Sequence, residues 1–365
     1  MKHLALALLA VLTACVADVP ASDDERDIPS GDDWGQTASV TDDGYVPHAV
    51  TASRFGVFYE VSPDVLAAYQ DPTSGLPQAA DHAWIISQSL GTQHASRPLA
   101  NAVHKRGDFY YAATFDLWKA YPSWQSDSDA SLTQQAHAFR DQAIAAHADL
   151  FAFNEVPTGT PTSGSQQDKI ATILRGLHDA DAQGRRLQGV VFFTEAAGTP
   201  DNWSGPATAF YKAIDDTSIA LVVEHYHSTG FICGQSEAAL AEHFFALRTW
   251  LEASGDAAKK SIAGTKFTVL HSARYDAGPS GWAGADSEAT TLADFQRDLS
   301  RAALVTRTTE GGYNRLAFGP VHSSMTEFGV QGRITALFRW HYAHTAPQST
   351  ETACIGGAAG NCTCQ

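Results

Sequence analysis

Ionisable side chains that follow directly on apolar runs are the residues of this chain best placed to do chemistry. In Leu150-Phe151-Ala152-Phe153-Asn154-Glu155-Val156-Pro157 a strand-forming run stops at Asn154 and Glu155, and a loop of Gly, Thr, Ser and Pro follows. An unpaired carboxylate at the mouth of a buried strand is costly, so Glu155 reads as a group kept for a task. The same punctuation recurs: Tyr59 and Glu60, Asp116, Glu195, Glu224-His225-Tyr226-His227, His271 with Arg274, and His322 each end or follow an apolar run. Two carboxylates could divide general acid/base work between them, which calls for no cofactor. Alternatively His225, His227, His271 and His322 near Glu195 or Glu224 could hold a divalent metal. No Gly-x-Ser-x-Gly elbow supports a Ser-His-Asp hydrolase.

The elements that would position these groups alternate between strand-like and helix-like periodicity. Strands are expected over Phe55 to Val61, Trp84 to Ser89, Phe109 to Phe115, Leu150 to Asn154, Val190 to Glu195, Ile219 to Tyr226, Phe267 to Leu270 and Arg315 to Phe318. Ser62-Pro63-Asp64 opens a helix through Tyr69, with Pro at its first position. Further helices are expected over 97–105, 131–148, 206–215, 288–307 and 334–344. Ile170, Ile173, Leu174 and Leu177 mark one helical face, and Leu240, Phe244, Leu247 and Leu251 another. Near-continuous apolar strands alternating with amphipathic helices indicate a parallel sheet covered on both faces. Eight such units predict an α/β fold, a (β/α)8 TIM barrel, whose C-terminal strand ends carry the site. An open doubly wound sheet would want a Gly-rich first turn, and none follows the first strand.

An apolar fourth strand ending in Asn-Glu resembles the acid/base strand of the large retaining glycoside hydrolase superfamily built on (β/α)8 barrels. The resemblance implies that Glu155 donates the proton to the leaving oxygen and that Asn154 binds a neighbouring sugar hydroxyl. Glu224-His225-Tyr226 is similar to the His-x-Tyr region of the sixth strand in such enzymes. The superfamily's nucleophile belongs on strand seven, but Phe267 to Arg274 holds no carboxylate. Met325-Thr326-Glu327-Phe328-Gly329 looks like the nucleophile strand, yet the six residues Val330 to Thr335 are too few for a parallel crossover to a following strand. Glu327 is therefore expected in the loop after strand eight, on the same face. Carboxyl groups about 5–5.5 Å apart give retention and about 6.5–9.5 Å inversion; Glu224, Glu327 and Glu195 compete to partner Glu155. Tyr59, Asp116, Trp118, Glu195, His225, Tyr226, His227, His271, Arg274 and His322 are the candidate substrate-binding residues.

Trp118, Trp124, Trp203 and Trp282, four of eight tryptophans, fall in expected loops after strands three, five and seven. Exposed indoles there could stack on sugar faces. A non-catalytic glycan-binding protein would keep the tryptophans and drop the need for paired carboxylates.

The formal net charge of −16 leaves no Lys/Arg surplus to neutralise phosphates and argues against nucleic acid as a partner. Lys2 and His3 precede an apolar run from Leu4 to Leu12, suited to an export signal. Leu12-Thr13-Ala14-Cys15 resembles the lipobox of bacterial lipoproteins, which implies cleavage before Cys15 and a lipid anchor on that thiol. The expected location is extracytoplasmic, at an outer membrane or cell surface. Residues 1–15 are thus expected as signal peptide, the acidic 16–50 as a disordered tether, 51–346 as the catalytic barrel and 347–365 as a cysteine-containing tail. Cys233, Cys354, Cys362 and Cys364 permit two disulfides with three connectivities.

Overall fold

A computed structural model of the chain describes residues 43–51, 54–59, 82–90, 97–105, 107–154, 156, 164–194, 208–225, 229–271, 301, 305 and 316–318. Eight strands are present: β1 Arg54–Tyr59, β2 His82–Ser89, β3 Phe109–Asp116, β4 Leu150–Asn154, β5 Gln188–Thr194, β6 Ser218–His225, β7 Phe267–His271 and β8 Leu316–Phe318. They close into one barrel in chain order, every pair parallel, with Phe55 against Ala317 and Gly56 against Phe318 completing the ring. The expected (β/α)8 architecture is the observed one.

Among the described residues β2 to β7 are buried on both sides, and alternate residues feed two separate cores. Val57, Ala83, Ile85, Ala112, Leu150, Ala152, Val190, Phe192, Ala220, Val222 and Leu270 fill the interior. Their neighbours Trp84, Tyr111, Phe115, Phe151, Phe153, Val191, Phe193, Leu221, Val223 and Val269 face the helical layer. Small alanines inside and aromatics outside suit a narrow lumen wrapped by a wider ring.

The helices of that ring are α1 Arg97–His104, α2 Leu117–Ala120, α3 Asp129–Ala145, α4 Gly164–His178, α5 Thr208–Thr217, α6 Thr229–Gly234, α7 Glu237–Ala253 and α8 Ala257–Thr265. Their starts obey capping chemistry: the Ser128 hydroxyl accepts from the Ser131 N–H, Ser236 from Ala239 and Asp256 from Lys259. Two short helices, α2 and α6, and the extra helix α8 had not been expected. The expected helices over 62–69 and 334–344 lie outside the described residues, as does that over 288–307 apart from Arg301 and Val305.

Helix α3 ends at Ala145, not 148, and Ala146 caps it in a Schellman motif. The His147 N–H donates to the Ile144 carbonyl and the Ala148 N–H to Ala143, both at 2.9 Å. That motif needs a left-handed residue, and His147 takes φ 64° there in place of glycine.

At the N-terminal end of the barrel, residues 43–50 pack on the body. The Val50 N–H donates to Gln188 Oε1 at 2.7 Å and its side chain joins the interior core, while Arg185 Nη1 donates to the Tyr45 carbonyl at 3.1 Å. The acidic composition of 16–50 had suggested a tether as far as residue 50. Its last eight residues instead seal the barrel floor, because Val50 finds apolar cover and Tyr45 and His48 find Asp149.

Candidate active site

The C-terminal mouth is where the inward-facing side chains turn polar. Counting outward along β6, Ala220 and Val222 belong to the interior core and Leu221 and Val223 to the outer one. Glu224 therefore falls on the inward side, in register with Thr194 of β5 and Leu270 of β7, and it is 5% exposed. A carboxylate that far from water acts through a low dielectric, where its charge has most effect on a reacting group.

His225, the next residue, falls on the other side. Its ring packs against Phe244 at 5.0 Å and His243 at 5.4 Å between centroids, so it sits between β6 and α7 and not in the lumen. It was expected among the substrate-binding residues; the strand's two-residue period gives it a packing position.

Across the mouth, β3 and β4 end side by side, with Asp116 in register with Asn154. Both are half-buried and both follow inward-facing positions, Ala112 on β3 and Leu150 and Ala152 on β4. Asp116 caps α2: its Oδ1 accepts from the Trp118 N–H at 3.1 Å and the Lys119 N–H at 3.2 Å, and Lys119 Nζ lies 3.6 Å from Oδ2. One oxygen face is thus occupied in holding the helix that presents Trp118.

Trp118 and Val46 are the exposed large hydrophobics among the described residues, Trp118 at 47%. Its ring meets Trp124 edge-on at 5.6 Å. Trp124 had been expected as an exposed stacking residue, but it is fully buried and serves as the base on which Trp118 stands. Tyr121 closes the short helix, donating its N–H to the Leu117 carbonyl at 2.9 Å and its hydroxyl to the Gln135 carbonyl at 2.8 Å. The sequence signal for α2 was present in Asp116-Leu117-Trp118-Lys119, an N-cap followed by helix formers.

Beyond Asn154 the chain continues along β5. The Val156 N–H donates to the Phe192 carbonyl at 2.9 Å and Val156 is buried. Ala152 pairs with Val190 and Phe153 with Val191.

Glu155, Glu195, Tyr226, His227, Arg274, His322 and Glu327 lie outside the described residues, as do Trp203 and Trp282. Tyr59 and His271 are placed by their backbones alone, as the last residues of β1 and β7, Tyr59 opposite Ser87 and His271 opposite His225. The structure thus brings Asp116, Trp118, Asn154 and Glu224 to one rim and directs His225 away from it.

No protein-family profile matches this chain, and no curated protein matches it in sequence. Among solved structures it is similar to a GH18 chitinase from Pseudoalteromonas aurantia, with TM-score 0.49, 10% identity, and coverage of 78% of this chain and 99% of that one. It is also similar to a GH5_18 protein from Bifidobacterium longum subsp. longum solved with Manb1-4GlcNAc, with TM-score 0.45, 13% identity and coverage of 80% and 79%. An endo-beta-N-acetylglucosaminidase from Cordyceps militaris gives TM-score 0.43, 12% identity and coverage of 79% and 92%.

Proposed function

We propose that this protein is a glycoside hydrolase acting on an oligo- or polysaccharide at the C-terminal mouth of its barrel. The observation that carries the reading is Glu224, a buried, inward-facing carboxylate ending an otherwise apolar strand. Glu155 is the second carboxyl group, adjoining the half-buried Asn154. In this reading Glu155 protonates the glycosidic oxygen, and Glu224 either attacks the anomeric carbon or activates a water on the opposite face. Glu327 and Glu195 are the competing partners. Asn154 binds a sugar hydroxyl, Trp118 supplies a stacking face, and Tyr59, Tyr226, His227, Arg274 and His322 extend the rim.

The test is a pair of isosteric variants. Glu155→Gln and Glu224→Gln should each lose about 10²–10⁴-fold in turnover, the usual worth of a positioned acid or base, while binding of the same oligosaccharide by calorimetry persists. Wild-type turnover in both variants overturns the mechanism. A wild-type protein that binds glycans and releases no reducing ends makes it a binding protein instead. The alternative of a rim metal hydrolase loses support from His225, which packs against α7.

We further propose export and lipidation at Cys15, supported by the lipobox-like Leu12-Thr13-Ala14-Cys15. Among the described residues no helix is long and apolar enough to cross a membrane. Metabolic labelling with a radiolabelled fatty acid should mark the wild-type chain and not Cys15→Ser. In this reading the cysteine tail is stapled to the body through Cys233 on α6, a pairing that the even count of Cys233, Cys354, Cys362 and Cys364 supports.

A further inference from the structure

At the barrel floor, opposite the mouth, one carboxylate gathers two histidines. Asp149 directly precedes β4, and its side chain is fully buried. Its Oδ1 accepts from the Tyr45 hydroxyl and from the His48 N–H at 2.9 Å. Its Oδ2 accepts from the Tyr111 N–H at 2.9 Å and lies 2.8 Å from His104 Nε2. His48 Nδ1 approaches Oδ1 at 3.5 Å. No Lys or Arg pairs with Asp149 among the described residues; its ion-pair partners are the two imidazoles. A buried carboxylate needs a compensating cation, and imidazole is a poor one at neutral pH unless protonated.

We propose that His48, His104 and Asp149 form a binding site for a divalent first-row transition metal that fastens residues 43–50 across the barrel floor. The three donor atoms all lie within 4.8 Å of one another, and the two imidazole nitrogens approach the carboxylate from different oxygens. A four-coordinate ion with bonds of about 2.0–2.2 Å is reached by turning the His48 ring, whose side chain is 52% exposed. That exposure leaves an entry path and a coordination position for water. Two imidazoles and a carboxylate suit Zn²⁺, Co²⁺ or Ni²⁺ better than the hard cations Mg²⁺ and Ca²⁺.

An outer shell is already built. The Tyr45 hydroxyl donates to Asp149 and so orients the ligand carboxylate. His147, 4.3 Å from Tyr45 in a stacked arrangement, fixes the ring from its other side, with Nε2 2.7 Å from Asp43. Because the N-terminal face of a barrel serves stability and not catalysis, the ion is structural. The site stands independently of the carboxylates at the mouth.

The experiment uses the full chain without a histidine tag, stripped with EDTA and titrated with Zn²⁺ by calorimetry and with Co²⁺ by visible absorption. His48→Ala is the informative variant, since its ring is half exposed and its loss leaves Asp149 with four partners, the Tyr45 hydroxyl, the backbone N–H of residue 48, the Tyr111 N–H and His104. The expected result is that His48→Ala binds one equivalent fewer than wild type and loses the Co²⁺ d–d bands of a nitrogen-ligated site. Zn²⁺ should also raise Tm in wild type but not in the variant, as binding to the folded state alone requires. Equal stoichiometry and equal affinity in the two proteins, or no Zn²⁺ binding to wild type at all, overturns the proposal and leaves a hydrogen-bonded clamp.

Discussion

At the scale of single residues the mouth is asymmetric: Glu224 is held deep and Trp118 stands out. That contrast separates chemistry from binding. Trp118→Ala should raise KM several-fold, about 0.5–1.5 kcal/mol of aromatic contact, with Tm nearly unchanged because half the ring already sees solvent. An unaltered KM would remove Trp118 from the substrate path. Trp124→Ala should instead destabilise by about 3–5 kcal/mol, since the ring is fully buried; urea unfolding measures it. Asp116→Ala should cost about 1 kcal/mol through the lost cap of α2. The sequence showed that Glu224 and His225 end a strand, but not which of them turns inward. That choice belongs to the register of β6 between its neighbours.

At the scale of elements the strands were legible because both faces of a parallel barrel strand are apolar, which leaves continuous runs broken only at the ends. The expected starts and ends differ from the observed ones by two residues at most, as between Phe55 to Val61 and Arg54–Tyr59. Contacts between elements left no such mark. Gly189 on β5 lies opposite Phe151 on β4, and a methyl group added there would come within 2.3 Å of the Phe151 ring and 2.8 Å of the Ser218 hydroxyl. Gly189→Ala should therefore cost about 1–3 kcal/mol by overpacking, read as a lower urea midpoint with an unchanged slope. The floor clamp was invisible for the same reason, since His48, His104 and Asp149 come from three separate parts of the chain. Asp149→Ala should destabilise by about 3–5 kcal/mol, removing the acceptor on which a buried polar cluster converges.

At the scale of the whole molecule, burial of tyrosine hydroxyls ties stability to alkaline pH. Burial raises the pKa of Tyr121 and Tyr211, and burial followed by the Asp149 charge raises that of Tyr45. In the unfolded chain these phenols lose their protons near pH 10. Their contribution is therefore fully present below about pH 10 and falls as pH rises above it, because the unfolded state alone gives up protons there. Tyrosinate absorbance and circular dichroism followed together should show part of the eleven tyrosines ionising only as the fold is lost. Complete ionisation near pH 10 with native dichroism would refute this. The eight-fold alternation and the rim at which ionisable groups collect are legible in the chain alone, because both are written in local periodicity. It took the closed barrel to set Glu224 toward the lumen and His225 toward a helix, to expose Trp118 over a buried Trp124, and to lock residues 43–50 onto Asp149. Each of these depends on which residues meet across the closed barrel, and barrel closure brings together positions that no local pattern relates.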